Sequence, residues 1–271
     1  MAPMARSPLR RTAILALGVT AYLTSQLVLA YTFGFVGGLA TPTALDGAAR
    51  AAVPTSVAVD LGLLAVFALQ HSLMARRRCK LWVERLGPGV ERPIYVLASS
   101  LALGLSYAFW HPVPVALWDL EGSLAGAVLA ALSLTGWGAV LTASLLIGHF
   151  HLFGLSQSWA AFRGRPSPPQ PLRARSLYRH VRHPMYLGTL VAFWSAPILT
   201  WGRVLFASAM TAYVLIAVRF EERDLLLEHG EAYEEYCRRV PRFVPSLLPA
   251  RLDDISWNPG ASSPLPAPEQ E

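Results

Sequence analysis

Six runs of apolar residues follow one another along the chain, separated by short polar segments. The runs cover about residues 12–38, 52–75, 94–110, 123–148, 185–201 and 204–219. A helix needs roughly 20 apolar residues to cross the hydrocarbon core of a bilayer, and 17 to 25 is usual. The pattern predicts an all-α, polytopic membrane protein with about six transmembrane helices, the last two short enough to form a tilted or partly buried hairpin.

The first run follows Arg6, Arg10 and Arg11, as in a signal peptide. The run is too long for one and lacks a convincing small-residue cleavage site, so we predict a retained anchor. We expect residues 1–251 to form a single integral membrane domain. Residues 252–271 are rich in Pro, Ser and acidic side chains with little to bury, which predicts a disordered tail.

The positions of the basic residues predict the orientation. If the N-terminus is cytoplasmic, all but two of the 23 Arg and Lys residues fall in cytoplasmic segments, and only Arg50 and Arg203 lie outside. This asymmetry follows the positive-inside rule and places both termini in the cytoplasm. Lys80 is the only lysine, which favours a bacterium of high GC content. The predicted location is therefore the bacterial inner membrane.

Composition agrees with a membrane protein and excludes several other classes. Apolar residues make up 54% of the chain and charged residues 15%. The net charge of +6 lies in loops between apolar runs and not on one water-exposed face, so no nucleic-acid partner is expected. Cys79 and Cys237 are far apart and predicted to stay reduced, and no Cys/His spacing predicts a metal ion. Glycines such as Gly34 and Gly37 lie inside an apolar run, which excludes a Rossmann-type glycine motif.

Candidate chemistry is concentrated around the last two predicted helices. Arg179, His180, Arg182, His183 and Tyr186 stand before the fifth helix, and Glu221, Glu222, Arg223 and Asp224 follow the sixth. A short connection around Gly202 and Arg203 would make these helices antiparallel and bring the two motifs together. On a helix, Arg182 and Tyr186 would share a face by their i, i+4 spacing, with Pro184 in the first turn.

Arginines at a cytoplasmic helix end are usually topology determinants, and nearby Glu–Arg pairs are usually solvated. Two histidines, two tyrosines and paired carboxylates brought together by one hairpin exceed what membrane anchoring needs. We therefore interpret the cluster as a ligand site within residues 149–245.

Several motifs carry a resemblance to a known family. They are Arg182–Gly188, Phe220–Leu225, His229–Tyr236 and Val240–Pro245, and upstream Leu69–Ala75, Glu91–Leu97 and Leu152–Gln157. The C-terminal set resembles the membrane methyltransferases related to isoprenylcysteine carboxyl methyltransferase. The upstream set resembles a narrower group within that family, which contains methanethiol methyltransferases and the denitrification-associated proteins called NnrU. The resemblance covers most of the chain from about residue 60 to 245.

The resemblance implies an S-adenosylmethionine-dependent methyltransferase with a C-terminal cofactor-binding hairpin and a cytoplasmic cap. Arg179 or Arg182 would hold the carboxylate of the cofactor, and Glu221 or Glu222 its ammonium. Tyr178, Tyr186 and Tyr233 would face the sulfonium or the adenine. His183 would donate a hydrogen bond to the cofactor, a role that the resemblance favours over simple capping of the next helix. Pro184, Leu187 and Gly188 complete the implied cofactor-binding motif.

The expected reaction is methylation of a small thiol, methanethiol giving dimethyl sulfide, by direct displacement without a metal ion. A thiol with a reference pKa near 8.5 is only a few per cent ionised at neutral pH, so a base or cation beside it would help. The catalytic candidates are His71, His151 and Arg182, with His149 as a further possible base. Asp60 lies toward the opposite membrane face and is predicted to have a packing role.

Two other functions remain open from the sequence. One is methylation of a lipid or prenylcysteine acceptor, which needs a lateral opening between helices. The other is a non-enzymatic membrane component of the NnrU type, which would bind no cofactor. The oligomeric state is not predicted.

Overall fold

The protein is almost entirely helical. The structure, a computed structural model, describes residues 7–39, 41–167, 174–253 and 255. The helices are α1 (Pro8–Gly37), α2 (Val53–Met74), α3 (Arg77–Glu84), α4 (Glu91–Ala108), α5 (Leu124–Ile147), α6 (His149–Leu152), α7 (Leu155–Phe162), α8 (Pro184–Trp194), α9 (Trp201–His229) and α10 (Glu231–Arg239), with a 3₁₀ helix at Ser176–Arg179. Strands β1 (Ala116–Asp119) and β2 (Ile198–Thr200) form an antiparallel pair. Most of the tail predicted from residue 252 lies outside the described residues.

Each of the six predicted apolar runs contains a helix, and the predicted all-α membrane fold is confirmed. Four helices, α1, α2, α5 and α9, are long and apolar enough to cross a bilayer. Their outward faces carry exposed apolar side chains, such as Leu27 (70% exposed) and Leu145 (60%), which suit lipid contact. Helix α4 has 18 residues. Helix α8 has 11 residues and spans only about 16 Å, so it cannot cross the membrane alone.

The last two helices differ from the prediction in their boundaries. The connection between them lies at residues 195–200, and Gly202 and Arg203 belong to the first turn of α9. Helix α9 continues to His229, so Glu221 and Glu222 lie on its last turns and not after its end. Arg182 precedes α8, which begins at Pro184, so the expected i, i+4 relation to Tyr186 on one helix is wrong. Pro184 does occupy the first turn, as predicted.

Helices α5 and α8 form the closest helix pair. A Cβ atom built on Gly188 would lie 2.6 Å from the Gly136 carbonyl oxygen, and one on Gly136 would lie 2.5 Å from the Gly188 carbonyl oxygen. Only glycine fits such a backbone approach, a common device where helices pack in membranes. The contact fixes α8, and therefore the segment that precedes it, against α5.

The end of the molecule opposite α10 is held by aromatic packing and one buried ion pair. The rings of Phe35 and Tyr107 lie 4.5 Å apart, and Phe206 packs against the same core cluster. Arg203 is 6% exposed, and its Nε donates to Asp46 Oδ2 at 3.0 Å. Arg203 therefore has a structural role at the end where the charge pattern placed it.

The C-terminal segment folds back over the start of α8 and forms a cap, which we define as residues 230–252. Three backbone hydrogen bonds pair it with the segment before α8: Arg182 N to Pro241 O, Ser246 N to His180 O and Ala250 N to Arg179 O, each at 2.9 Å. Within the cap, Tyr233, Tyr236, Val240 and Leu252 form a small core of buried side chains. The cap thus encloses the residues that carry the polar motifs.

Candidate active site

A cavity of about 330 Å³ lies between the cap, the segment before α8 and the last turns of α9. Its lining consists of Arg92, Ile147, Leu152, Ala174, Tyr178, Arg182, His183, Met185, Tyr186, Glu221, Leu225, Glu228, His229, Tyr233 and Tyr236. The volume falls in the range of small-molecule and cofactor sites, roughly 300 to 1,000 Å³. Charged groups of both signs therefore meet aromatic rings in one space of ligand size.

Glu222 organises one wall of this cavity. Its Oε1 accepts from Arg182 Nε at 2.9 Å and lies 3.0 Å from His183 Nε2, while its Oε2 accepts from Arg242. The Arg182 and Glu222 side chains are only 10% and 11% exposed. Arg182 also donates through one terminal nitrogen to the carbonyl oxygens of Cys237 (2.8 Å) and Val240 (3.0 Å). The network ties α9, the start of α8 and the cap together.

Glu221, one position earlier on α9, faces the cavity itself. Its Oε2 accepts a 2.7 Å hydrogen bond from the Tyr186 hydroxyl. No other protein group is shown bonded to this carboxylate within the part of the chain that is described. The two neighbouring glutamates therefore differ in role, since Glu222 holds the wall together and Glu221 presents negative charge to the cavity.

Three tyrosines from the cap side contribute aromatic surface. Burial raises the pKa of Tyr178, Tyr233 and Tyr236 above the ordinary value, so each phenol stays protonated. The Tyr236 hydroxyl donates to the Tyr178 carbonyl oxygen at 2.8 Å. His229 Nδ1 has no hydrogen-bond partner among the described residues, and the buried Tyr233 hydroxyl meets only the weakly bonding thiol of Cys237 there. Buried polar atoms without a good partner are costly, so both are suited to bind a polar ligand.

The structure brings together about half of the sequence-predicted site residues. Tyr178, Arg182, His183, Tyr186, Glu221 and Tyr233 line the cavity. Arg179, Pro184, Leu187, Gly188 and Glu222 do not line it. Arg179 donates to the Ala250 carbonyl at 2.8 Å, Gly188 contacts α5, and Glu222 acts through Arg182 and His183. His183 is the N-cap residue of α8 but makes no side-chain cap, because its ring is directed to Glu222.

The predicted catalytic histidines stand outside the cavity lining. His71 Nε2 lies 2.6 Å from the Tyr95 hydroxyl and its Nδ1 lies 3.0 Å from Ser99 Oγ, so both ring nitrogens are engaged. His151 stands on α6, where burial and, secondarily, the positive charge of Arg92 lower its pKa. His149 lies between Tyr22 and Ser144, 3.3 Å and 3.1 Å away. Their catalytic roles stay predictions.

Several lining residues were given no individual role from the sequence, although Arg92, His229 and Tyr236 lie within the motifs that carry the resemblance. Glu228 and His229 lie on the same face of α9 as Glu221, seven and eight positions further along the helix. They would have been predicted if the sequence had shown that α9 continues to His229. Tyr236 lies three positions after Tyr233 on α10. Arg92 opens the apolar helix α4, and only tertiary structure brings it to the cavity.

These features define a class: a helical membrane protein with a partly open cavity, lined by charged and aromatic side chains, between its helices and a C-terminal cap. Residues 137–230 match the family model described as phospholipid methyltransferase. The chain is 41% identical over 243 residues to a methanethiol S-methyltransferase of Crocosphaera subtropica, covering 89% of this chain and 95% of the relative. It is 43% identical over 238 residues to one of Mycobacterium tuberculosis, covering 88% and 98%.

Human nurim is 32% identical over 177 residues, which cover 62% of this chain and 68% of nurim. No solved structure matches the chain. The chain belongs to the methanethiol S-methyltransferase family, and it is a membrane methyltransferase.

Proposed function

We propose that this protein transfers the methyl group of S-adenosylmethionine to methanethiol and forms dimethyl sulfide. The observation that carries the proposal is the cavity beneath the cap, where Arg182 and Glu221 stand within aromatic walls. Likeness along almost the whole chain to relatives that bear the name of this activity supports it.

The cavity fits the methyl donor by its chemistry. S-adenosylmethionine carries a carboxylate, an ammonium, a sulfonium and an adenine, and it supplies a methyl group bound to cationic sulfur. Glu221 would hold the ammonium. Arg182 would hold the carboxylate through the terminal nitrogen that its bonds to Cys237 and Val240 leave unused. The Tyr233 hydroxyl and the unpartnered His229 Nδ1 offer further bonds, and the rings of Tyr178 and Tyr186 suit the sulfonium and adenine.

The residues of the chain would act by positioning and by excluding water. The Glu222 network holds Arg182 and His183 in fixed orientations, and the hydroxyl of Tyr186 orients the Glu221 carboxylate. Methyl transfer to sulfur needs an in-line approach, and correct placement of two reactants supplies much of the rate. The cap covers one side of the site, where it would limit the access of bulk water to the reacting groups.

A lipid acceptor is the second candidate, because the matching family model is described as phospholipid methyltransferase. A lipid would enter sideways from the bilayer, whereas methanethiol needs only a small opening. We also propose that residues 1–251 act as one domain in the bacterial inner membrane, with both termini in the cytoplasm. The cap and the cavity would then face the cytoplasm, where S-adenosylmethionine is made.

The test is production of dimethyl sulfide by the full chain, purified into nanodiscs and supplied with S-adenosylmethionine and methanethiol. We expect dimethyl sulfide and S-adenosylhomocysteine in equal amounts, measured by gas and liquid chromatography. Phosphatidylethanolamine vesicles in place of methanethiol form the lipid arm. Methylated lipid without dimethyl sulfide would establish the second candidate, and a protein that binds no donor would favour a non-enzymatic membrane component.

A further inference from the structure

Arg92 is the one cation that the N-terminal half of the chain contributes to the described cavity lining. It stands in the first turn of α4, and its Nε donates to the Leu152 carbonyl oxygen at 2.8 Å. Its guanidinium carbon lies 5.2 Å from the centre of the Tyr95 ring. The other lining residues from this side, Ile147 and Leu152, are apolar.

Among the described residues, Arg92 lacks the carboxylate partner that Arg182 has. No ion pair of Arg92 is found among the described residues, whereas Arg182 is paired with Glu222. The single hydrogen bond from Nε leaves the two terminal nitrogens without a partner in the described part of the chain. An arginine with unused donors in a partly open cavity is suited to bind an anion.

The local backbone holds Arg92 in this place. Gly154 has a φ of +86°, and a Cβ atom there would lie 2.8 Å from the Pro93 nitrogen. A side chain at this position would therefore push the turn between α6 and α7 away from the start of α4. The close approach is what brings the Leu152 carbonyl within reach of Arg92.

Titratable groups from several elements surround Arg92. The charge of Arg92 acts on His71 of α2, Tyr95 of α4 and His151 of α6. Glu91, Tyr213 and Glu221 act in turn on Tyr95, and Glu221, Tyr213 and Tyr95 act on Tyr186 of α8. Two carboxylates, Glu221 and Glu228, line the cavity, and Glu221 is engaged by Tyr186. Neither His71 nor His151 lines the cavity, so Arg92 is better placed than either to act on an acceptor there.

We propose that Arg92, with Ile147, Leu152 and Met185, forms an acceptor subsite that binds a small thiol as its thiolate. The subsite rests on the proposed function. Its apolar walls suit the methyl group of the acceptor, and their low dielectric strengthens attraction between guanidinium and thiolate. Arg92 takes the place of a general base, because it stabilises the anion that remains after the proton leaves.

The reaction balances without a further reactant. The thiol releases its proton to water, and the thiolate sulfur forms a bond to the donor methyl carbon. The bond from that carbon to the sulfonium breaks, and its electron pair stays on the donor sulfur. The products are a dialkyl thioether, S-adenosylhomocysteine and one proton.

The test compares Arg92→Gln and Arg92→Lys with the wild type in nanodiscs. For Arg92→Gln we expect kcat/KM for methanethiol at neutral pH to fall about 100-fold, as when one donor to a reacting anion is removed. The rise of kcat with pH should move upward by about 1 unit, because thiolate formation loses a favourable charge. Arg92→Lys should recover much of the loss, and the dissociation constant of S-adenosylmethionine should stay within about 3-fold.

Arg78→Gln is the matched control, because Arg78 is exposed on α3 and should leave every readout unchanged. An equal loss of donor affinity and of activity in Arg92→Gln would overturn the subsite and assign Arg92 to the donor carboxylate. A loss that is independent of pH and not recovered by lysine would assign Arg92 to packing against Leu152. Failure of the wild type to methylate any thiol would instead overturn the proposed function, and the subsite with it.

Discussion

At the scale of single residues, the two neighbouring glutamates of the site differ in how many side chains each one binds. Glu222 serves Arg182, His183 and Arg242 at once, whereas the neighbouring Glu221 is bonded to Tyr186 alone among the described side chains. A carboxylate shared among three partners orders its surroundings but has little capacity left for a ligand. The division of labour between adjacent glutamates follows from their positions on α9, about 100° apart around the helix.

Glu222→Gln should destabilise the protein. The substitution leaves the largely buried guanidinium of Arg182 without a counter-charge, which costs about 3 kcal/mol when one partner of a buried pair is removed. We expect a lower melting temperature in detergent and weaker donor binding. Glu235→Gln is the control, because Glu235 pairs with Arg238 and Arg239 on the exposed face of α10 and should leave melting unchanged. Equal melting of both variants would contradict a structural role for Glu222.

Tyr233→Phe separates ligand binding from packing. Among the described residues the buried hydroxyl of Tyr233 meets only the weakly bonding thiol of Cys237, so its removal should change the melting temperature little. If the hydroxyl bonds the donor, the dissociation constant of S-adenosylmethionine should rise about 3- to 10-fold, measured by calorimetry. Tyr236→Phe is the contrasting variant, because it removes a bond to the Tyr178 carbonyl and should lower stability. Unchanged donor affinity in Tyr233→Phe would exclude this hydroxyl from the donor site.

The sequence predicted the cavity residues that belong to local motifs, but it did not predict the positions that depend on packing between distant segments. Arg182, Tyr186 and Glu221 were predicted because a turn between two apolar runs must bring their motifs together. Gly188 was assigned to the cofactor motif, but its position is explained by contact with Gly136, which no local pattern reveals. Arg92 reaches the cavity through the close approach of α4 and the α6–α7 turn, and that approach involves residues 60 positions apart.

At the scale of elements, α8 transmits the packing of the membrane core to the site. It is too short to cross the bilayer, and it is fixed on one side by α5 and on the other by α9. Its first residue follows His183 directly, so a shift of α8 would move the Glu222 network. The apolar run at 185–201 predicted a longer helix because strand β2 and its preceding turn are also apolar.

Gly188→Ala tests this connection. The added Cβ would lie 2.6 Å from the Gly136 carbonyl oxygen and 3.1 Å from the Ala139 Cβ, so α5 and α8 must separate. Overpacking of this kind costs about 1 to 3 kcal/mol. We expect a lower melting temperature, with loss of donor binding as a secondary effect. Gly138→Ala, on the exposed side of α5 with open space around the new Cβ, should be tolerated. Normal melting of Gly188→Ala with donor binding lost would favour direct contact of Gly188 with the donor.

At the scale of the whole molecule, the fold divides into an apolar body and two polar ends. The end with Asp46 and Arg203 is closed by a buried ion pair, and the end with the cap contains the cavity. Nearly all basic residues belong to segments at the cap end. Arg203 lies at the opposite end, where its partner Asp46 accounts for its presence. The charge asymmetry therefore bears on the direction of insertion and hence on which compartment supplies the methyl donor.

Cysteine labelling tests the proposed orientation directly. In a chain with Cys79→Ser and Cys237→Ser, a single new cysteine is placed either at Glu121→Cys, in the exposed turn after β1, or at Arg78→Cys, on exposed α3. Glu121→Cys should react with a membrane-impermeant maleimide added to spheroplasts, and Arg78→Cys should react only after the membrane is opened. Helix α2, with 22 residues, lies between Asp46 and Arg78 in the chain. The positive-inside rule places Arg78 on the cytoplasmic face and the Asp46 end on the opposite face. The reverse labelling pattern would place the cavity on the outer face, where the proposed donor would have no access to it.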